Sequence, residues 1–238
     1  MGISKTLHMQ SVLRIEFTET PPNKKIWIVL PVVLFFLFSC ASTQKSKGES
    51  GNAEFYNNRG MANDKEGLYD QAISDYNKAL QINPKYADAY INRGRAYGRK
   101  GEHDQTISDC NKALEINPRL AEAYNNRGFA HYKKGQYDQA ILDYNKALEI
   151  DPKYVLSYGN RGLAYETKGQ YDRAISDYNK TLEIEPRAAE AYYRRGYIYY
   201  LQKEYDKSWE DIKKAQALSY IIPREFLDDL RKASGRQN

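Results

Sequence analysis

The chain has 238 residues, is 41% hydrophobic and 28% charged, and carries a formal net charge of +5. The excess is not gathered anywhere useful to a polyanion. Residues 53–222 hold 26 Lys+Arg against 25 Asp+Glu, a mixed surface without the basic stripe that nucleic-acid binding needs.

The N-terminal segment reads first as an address. Lys24 and Lys25 precede an apolar run from Ile26 to Phe38, and small residues follow. This is the layout of a secretory signal. Thirteen helical residues reach about 20 Å, short of a ~30 Å hydrocarbon core, so a lasting membrane span is not expected. The end of the run, Leu37-Phe38-Ser39-Cys40, resembles the lipobox of bacterial lipoproteins. That resemblance implies diacylglycerol on the Cys40 thiol, removal of residues 1–39 and acylation of the new amino end. Ser39 supplies the small residue the peptidase needs, and Phe38 is bulkier than the usual occupant. Ala41, where Asp would retain a lipoprotein in the inner membrane, implies the outer membrane. Several acyl chains on one cysteine anchor stably where one is marginal. An ordinary signal cleaved elsewhere, or an uncleaved hydrophobic anchor, is the plainer alternative. Twenty-three residues precede Lys24, as an upstream misassigned start codon would leave. Met1-Gly2-Ile3-Ser4-Lys5-Thr6 fits an N-myristoylation pattern, but that cytosolic modification conflicts with a following export signal. Residues 40–52 hold no large apolar side chain and read as a flexible tether.

From residue 53 the chain repeats every 34 residues, in units 53–86, 87–120, 121–154, 155–188 and 189–222. Tyr56, Tyr90, Tyr124, Tyr158 and Tyr192 form one column, and Pro84, Pro118, Pro152 and Pro186 another. Gly67, Gly101, Gly135 and Gly169 divide the units, with Lys203 in the fifth. Ala140, Ile141, Tyr144, Ala147 and Leu148 keep the spacing of one helical face. The dividing glycine supplies a left-handed turn, and the proline closes the second helix. Each unit is thus expected to be two antiparallel helices.

This frame of Tyr, Gly, Ala and Pro columns resembles the tetratricopeptide repeat. The resemblance implies an all-α fold, an α-solenoid winding as a right-handed superhelix of five hairpins with a concave groove. Thr106 and Ser208 depart from the Ala column, Cys110 and Ile212 from the Tyr column, and Tyr220 replaces the fifth proline. No hairpin buries its apolar face alone, so a lid is needed. Residues 223–238 offer a capping helix and tail, with Phe226, Leu227, Leu230 and Ala233 on one face.

Arg59, Arg93, Arg127, Arg161 and Arg195 each precede a glycine, and Asp75, Asp109, Asp143, Asp177 and Asp211 follow them by 16 residues. Arg127 lies eight residues before the hinge at Gly135 and Asp143 eight after. Level positions in an antiparallel hairpin can meet, so five intra-unit ion pairs, at least partly buried, are expected. Gly128 and Ala140 are expected to mark a close approach of two helix backbones.

No nucleophile–base set, phosphate-cradling loop or His/Cys cluster appears, so no enzymatic activity, cofactor, metal or small-molecule substrate is expected. Cys110 sits in a core column. The resemblance implies that the first helix of each unit lines the groove. Asn58, Asn92, Asn126 and Asn160, with Arg194 in the fifth unit, would then hold a ligand backbone, an amide both donating and accepting. Arg95, Phe129, Tyr132, Tyr193 and Tyr197 would flank that row. A role as helix-stabilising surface residues is the plain alternative for the asparagines. The reading is a non-catalytic, lipid-anchored scaffold for a protein or peptide partner, in the bacterial envelope facing the periplasm. The alternative is a cytosolic adaptor, similar to co-chaperones, with an uncleaved N-terminus.

Overall fold

Glycine and proline columns set the helix ends. The hinge residues Gly67, Gly101, Gly135 and Gly169 have φ between 71° and 82°, the left-handed region open to glycine at little cost. Lys203 takes the same conformation at φ 61° in the fifth unit, where its Cβ is crowded. At the other end, Asn83, Asn117 and Asp151 precede prolines and are extended, as the proline ring requires. Their side chains then accept from the backbone N–H two residues on, at 2.9–3.1 Å, and start the next turn.

The protein, a computed structural model describing residues 51–236, is built of eleven helices, with no strand among the described residues. They are α1 (Ala53–Lys65), α2 (Tyr69–Ile82), α3 (Ala87–Arg99), α4 (His103–Ile116), α5 (Ala121–Lys133) and α6 (Tyr137–Ile150). The rest are α7 (Val155–Thr167), α8 (Tyr171–Ile184), α9 (Ala189–Leu201), α10 (Tyr205–Ala217) and α11 (Arg224–Ser234). The leader, Cys40 and the tether up to residue 50 lie outside the described residues, as do the last two residues of the tail. Asn52 caps α1 by accepting from Glu54 N at 2.9 Å.

Helices pair within each unit, and each second helix packs on the first helix of the next. The buried clusters straddle those junctions. Ala79 and Leu80 of α2 meet Ala89 of α3, and Ala113 and Leu114 of α4 meet Ala123 of α5. A unit removed from the stack would expose these side chains, which is why stability accrues by neighbours.

Every one of the five arginines grips its aspartate with two nitrogens. Arg127 Nε and Nη2 donate to Asp143 at 2.9 and 2.6 Å, and the other four pairs match this geometry. The aspartates are buried, while the arginine side chains run from 17% to 44% exposed. Burial pushes the Asp109 and Asp177 carboxyls up, and the guanidinium beside each pulls back.

The remaining arginine nitrogen reaches across the unit boundary. Arg93, Arg127, Arg161 and Arg195 donate through Nη1 to Asn77, Asn111, Asn145 and Asn179 of the preceding unit. Each of these four guanidiniums also lies over the tyrosine three residues earlier, within 5.2–5.7 Å of the ring centroid. One side chain therefore fixes both the hairpin and the stacking register.

A second ladder joins residues thirty apart and repeats every 34. Lys100, Lys134 and Lys168 bind Asp70, Asp104 and Asp138, and Gln202 donates to Asp172 at 3.2 Å. Arg236, one frame further, donates to Asp206 at 2.5 Å. The capping helix α11 thus sits in frame as the first helix of a sixth unit. Thirty-four residues after Gly196 stands Leu230, fully buried against Trp209 and Ile212 of α10. Phe226 is buried beside it, but Ala233 is exposed. Ser234 takes the expected place of Ala233, accepting from Trp209 Nε1 at 3.0 Å.

The expected approach of Gly128 to the Ala140 backbone is present, and a tyrosine ring lies closer still. A Cβ at Gly128 would lie 2.8 Å from Tyr144 Cε1 and 3.2 Å from the Ala140 carbonyl. Gly60 and Gly162 meet Tyr76 and Tyr178 in the same way. These glycines make room first for a ring and only then for a backbone.

Candidate partner-binding face

First helices touch in succession: α1 meets α3, α3 meets α5, and α5 meets α7. Successive second helices make no comparable contact. A stack closed along one row and open along the other bends toward the closed row. The first helices therefore line the inner face.

Buried amides seal that row. Asn92 Nδ2 donates to Asn57 Oδ1, and Asn160 Nδ2 to Asn125 Oδ1, both at 3.0 Å. Ser157 Oγ adds a second donor at Asn125 Oδ1, 3.1 Å away. In both bridges the acceptor stands 35 residues before the donor. Thirty-five residues before Asn126 stands Ile91, which cannot accept, and the buried Asn126 Nδ2 has no partner. Such a donor costs free energy until something accepts from it.

Charges on the inner face are largely matched at home. Arg95 Nη1 donates to Glu122 and Nη2 to Asn92, both at 2.9 Å, and its Nε lies 3.4 Å from the buried Asp64. Arg99 completes the Asp64 site at 2.9 Å. Arg194 pairs with Glu190 at 2.8 Å and lies 3.6 Å from Glu166. Tyr178 donates to Glu166 at 2.6 Å, and burial pushes its hydroxyl far above the ordinary tyrosine range, with the Glu166 charge adding to it.

The ten residues expected to bind in the groove therefore divide. Asn92, Asn160, Arg95 and Arg194 commit their polar groups to other units or to their own helix. Tyr193 and Tyr197 are covered in part by the chain itself: Phe226 of α11 packs 5.9 and 5.5 Å from their ring centroids, and Tyr220 stacks on Tyr193 at 5.1 Å. Their column spacing carries no sign of this cover, because α11 lies beyond the fifth unit. Asn58 is exposed, Asn126 keeps its free donor, and Phe129 and Tyr132 are half-buried. Lys133 lies over the Phe129 ring, and the Tyr132 hydroxyl meets Thr167 at 3.1 Å.

Farther along, the row opens. The α7–α9 junction is looser than those of the earlier first helices, with Arg194 reaching Glu166 at 3.6 Å, and a cavity of about 190 Å³ lies there. Gly159 is on its wall, in the column that holds Asn57, Ile91, Asn125 and Tyr193 elsewhere. A glycine inside a helix, in a column of large residues, was the available signal for this site.

Cys110 is fully buried, and burial pushes its thiol up to about 12, an inert core residue. Among the described residues no group of His, Cys, Asp and Glu could hold a metal, and no helix is long and apolar enough to cross a membrane.

Tetratricopeptide repeat profiles match residues 87–120, 121–154, 143–176 and 189–220, and a further TPR repeat profile matches 64–101 and 167–203. The matches run continuously from 64 to 220, and the chain belongs to the tetratricopeptide repeat family. No curated protein matches it. Among solved structures it is similar to MamA, at 28% identity over 67% of this chain and 94% of that one, with a TM-score of 0.60. PilF of Pseudomonas aeruginosa superposes with a TM-score of 0.72 at 21% identity, covering 79% of this chain and 86% of that one. PilW, described as a type IV pilus biogenesis factor, gives 0.70 at 23% identity over 78% and 87%. The last two likenesses speak to the fold alone.

Proposed function

We propose that the protein is a non-catalytic scaffold, held by lipid on Cys40 at the periplasmic face of the outer membrane, that binds a protein or peptide partner along its inner face. The observation that carries the binding reading is the row of first helices, where Asn58 stays exposed and Phe129 and Tyr132 stay half-buried after the other polar groups are matched within the chain. The anchoring reading rests on Lys24 to Cys40, where a basic start, an apolar run and a small residue precede the cysteine.

Two measurements test this. Mass spectrometry of the mature N-terminus is expected to find an acylated Cys40, and Cys40→Ala is expected to move the protein out of the membrane fraction. An intact Met1 with soluble protein would favour the cytosolic adaptor. Photo-crosslinking groups at positions 58 and 129 are expected to capture partners that groups at 74 and 108, on the second helices, do not. Equal capture from both faces would remove the inner face as the binding surface.

A further inference from the structure

Resting on that groove reading, we propose that the cavity beside Gly159 is an anchor pocket for one branched-aliphatic or aromatic side chain of an extended partner, next to a lysine or arginine.

Gly159 stands in mid-helix, where a glycine weakens the helix it sits in. Its backbone does not need it. Its φ is not in the left-handed region, and a Cβ there would find only Thr181 Oγ1, 4.0 Å away. Gly128 clears a tyrosine ring; Gly159 clears nothing the chain itself fills. What its missing side chain leaves is open volume between α7, α8 and α9, whose residues line the cavity.

Size and lining fit one side chain. A dry cavity of about 150 Å³ accepts a benzene ring, and this one is about 190 Å³. Val155, Leu163 and Ala191 form apolar walls, and Leu156, 58% exposed, stands at the rim.

Charge selects the neighbour of that side chain. Glu185 and Glu190 line the site against Arg194 alone, a local balance of −1. Arg194 already joins Glu190 and Glu166, so Glu185 is left as the unmatched carboxylate of the lining. A cation beside the anchor meets an attractive field, and an anion a repulsive one.

The test uses the full chain in detergent and fluorescein-labelled Gly/Ser peptides of nine residues, read by fluorescence polarisation. One peptide carries Leu flanked by two Lys, a second has Ser for Leu, and a third has Glu for both Lys. The first is expected to bind at least tenfold more tightly than either of the others. Gly159→Ile places the side chain that Ile91 buries in unit two, and Gly159→Ala adds one methyl. Both are expected to keep the melting temperature or raise it. Gly159→Ile is expected to weaken the Leu/Lys peptide at least tenfold, and Gly159→Ala less.

Equal affinity for wild type and Gly159→Ile overturns the pocket. If that binding is lost on Phe129→Glu, the groove reading survives the pocket's failure. No binding of any peptide to wild type also overturns the pocket, and the crosslinking at 58 and 129 judges the groove separately. A peptide of residues 24–36 that outbinds the Leu/Lys peptide, or a dimer in sedimentation velocity that Gly159→Ile dissolves, assigns the cavity to this chain and overturns the partner.

Discussion

Replacing Gly128 by alanine sets two effects against each other. Alanine favours a helix interior over glycine by about 1 kcal/mol. The new methyl, however, starts 2.8 Å from Tyr144 Cε1 and 3.0 Å from Cδ1, and ordinary contact begins at 3.4 Å. The Tyr144 ring is fully buried and has no flexible end to swing aside. Overpacking of this kind costs about 1–3 kcal/mol, so a net loss of about 1–2 kcal/mol is expected. At Gly94 the same substitution meets Asp109 Cβ at 3.3 Å and Cys110 Sγ at 3.6 Å, because unit two has no ring there. Propensity then wins, and Gly94→Ala is expected to be neutral or stabilising by up to about 1 kcal/mol. Urea unfolding followed by circular dichroism separates the two. Tyr144→Cys should relieve the Gly128→Ala clash, giving a double-mutant coupling of about 1 kcal/mol or more. Equal effects at 94 and 128, with no coupling to position 144, would show that the ring does not set the glycine.

Three further expectations follow from the same contacts. Arg127→Ala strands the buried Asp143 and is expected to cost about 3 kcal/mol, while Arg127→Ala with Asp143→Ala costs less than the sum; additive urea midpoints would deny the pairing. Lys203→Gly relieves a left-handed lysine and is expected to gain about 1 kcal/mol, read as a raised melting temperature; no gain would mean that Lys203 is not strained. Burial pushes the Tyr76 and Tyr154 hydroxyls and the Cys110 thiol up to about 12. Folded-state values above the unfolded ones give stability that is complete below about pH 9 and drains as pH rises toward 12. The urea midpoint is expected to fall between pH 8 and pH 11, and a flat profile would contradict this.

The hairpins were readable because each end is written by one residue type. Glycine at 67, 101, 135 and 169 turns the chain left-handed, and proline at 84, 118, 152 and 186 forbids the helix before it. Spacing about Gly135 alone brings Arg127 and Asp143 within reach of each other. Contacts between units were not readable in this way, since hairpin symmetry says nothing about the offset of the next hairpin. The Asn111 partner of Arg127 and the Lys134 partner of Asp104 needed that offset. The inner face depended on it more. Whether an asparagine binds a ligand or its neighbour turns on the residue 35 places earlier: Asn57 for Asn92, Asn125 for Asn160, and the unhelpful Ile91 for Asn126. Tyr193 and Tyr197 looked available only while the fold-back of α11 over them was unknown.

Leu230 gives the array a stop signal one side chain wide. In every full unit the equivalent place is a glycine, which admits the second helix of its own hairpin. A helix approaching α11 in that way would collide with four extra carbons already spoken for by Trp209 and Ile212. Lengthening by gene duplication is therefore permitted upstream of this helix, where each junction repeats the same hydrogen bonds. Beyond it, a further hairpin of the same kind would need glycine in place of Leu230, so one side chain sets where this packing stops.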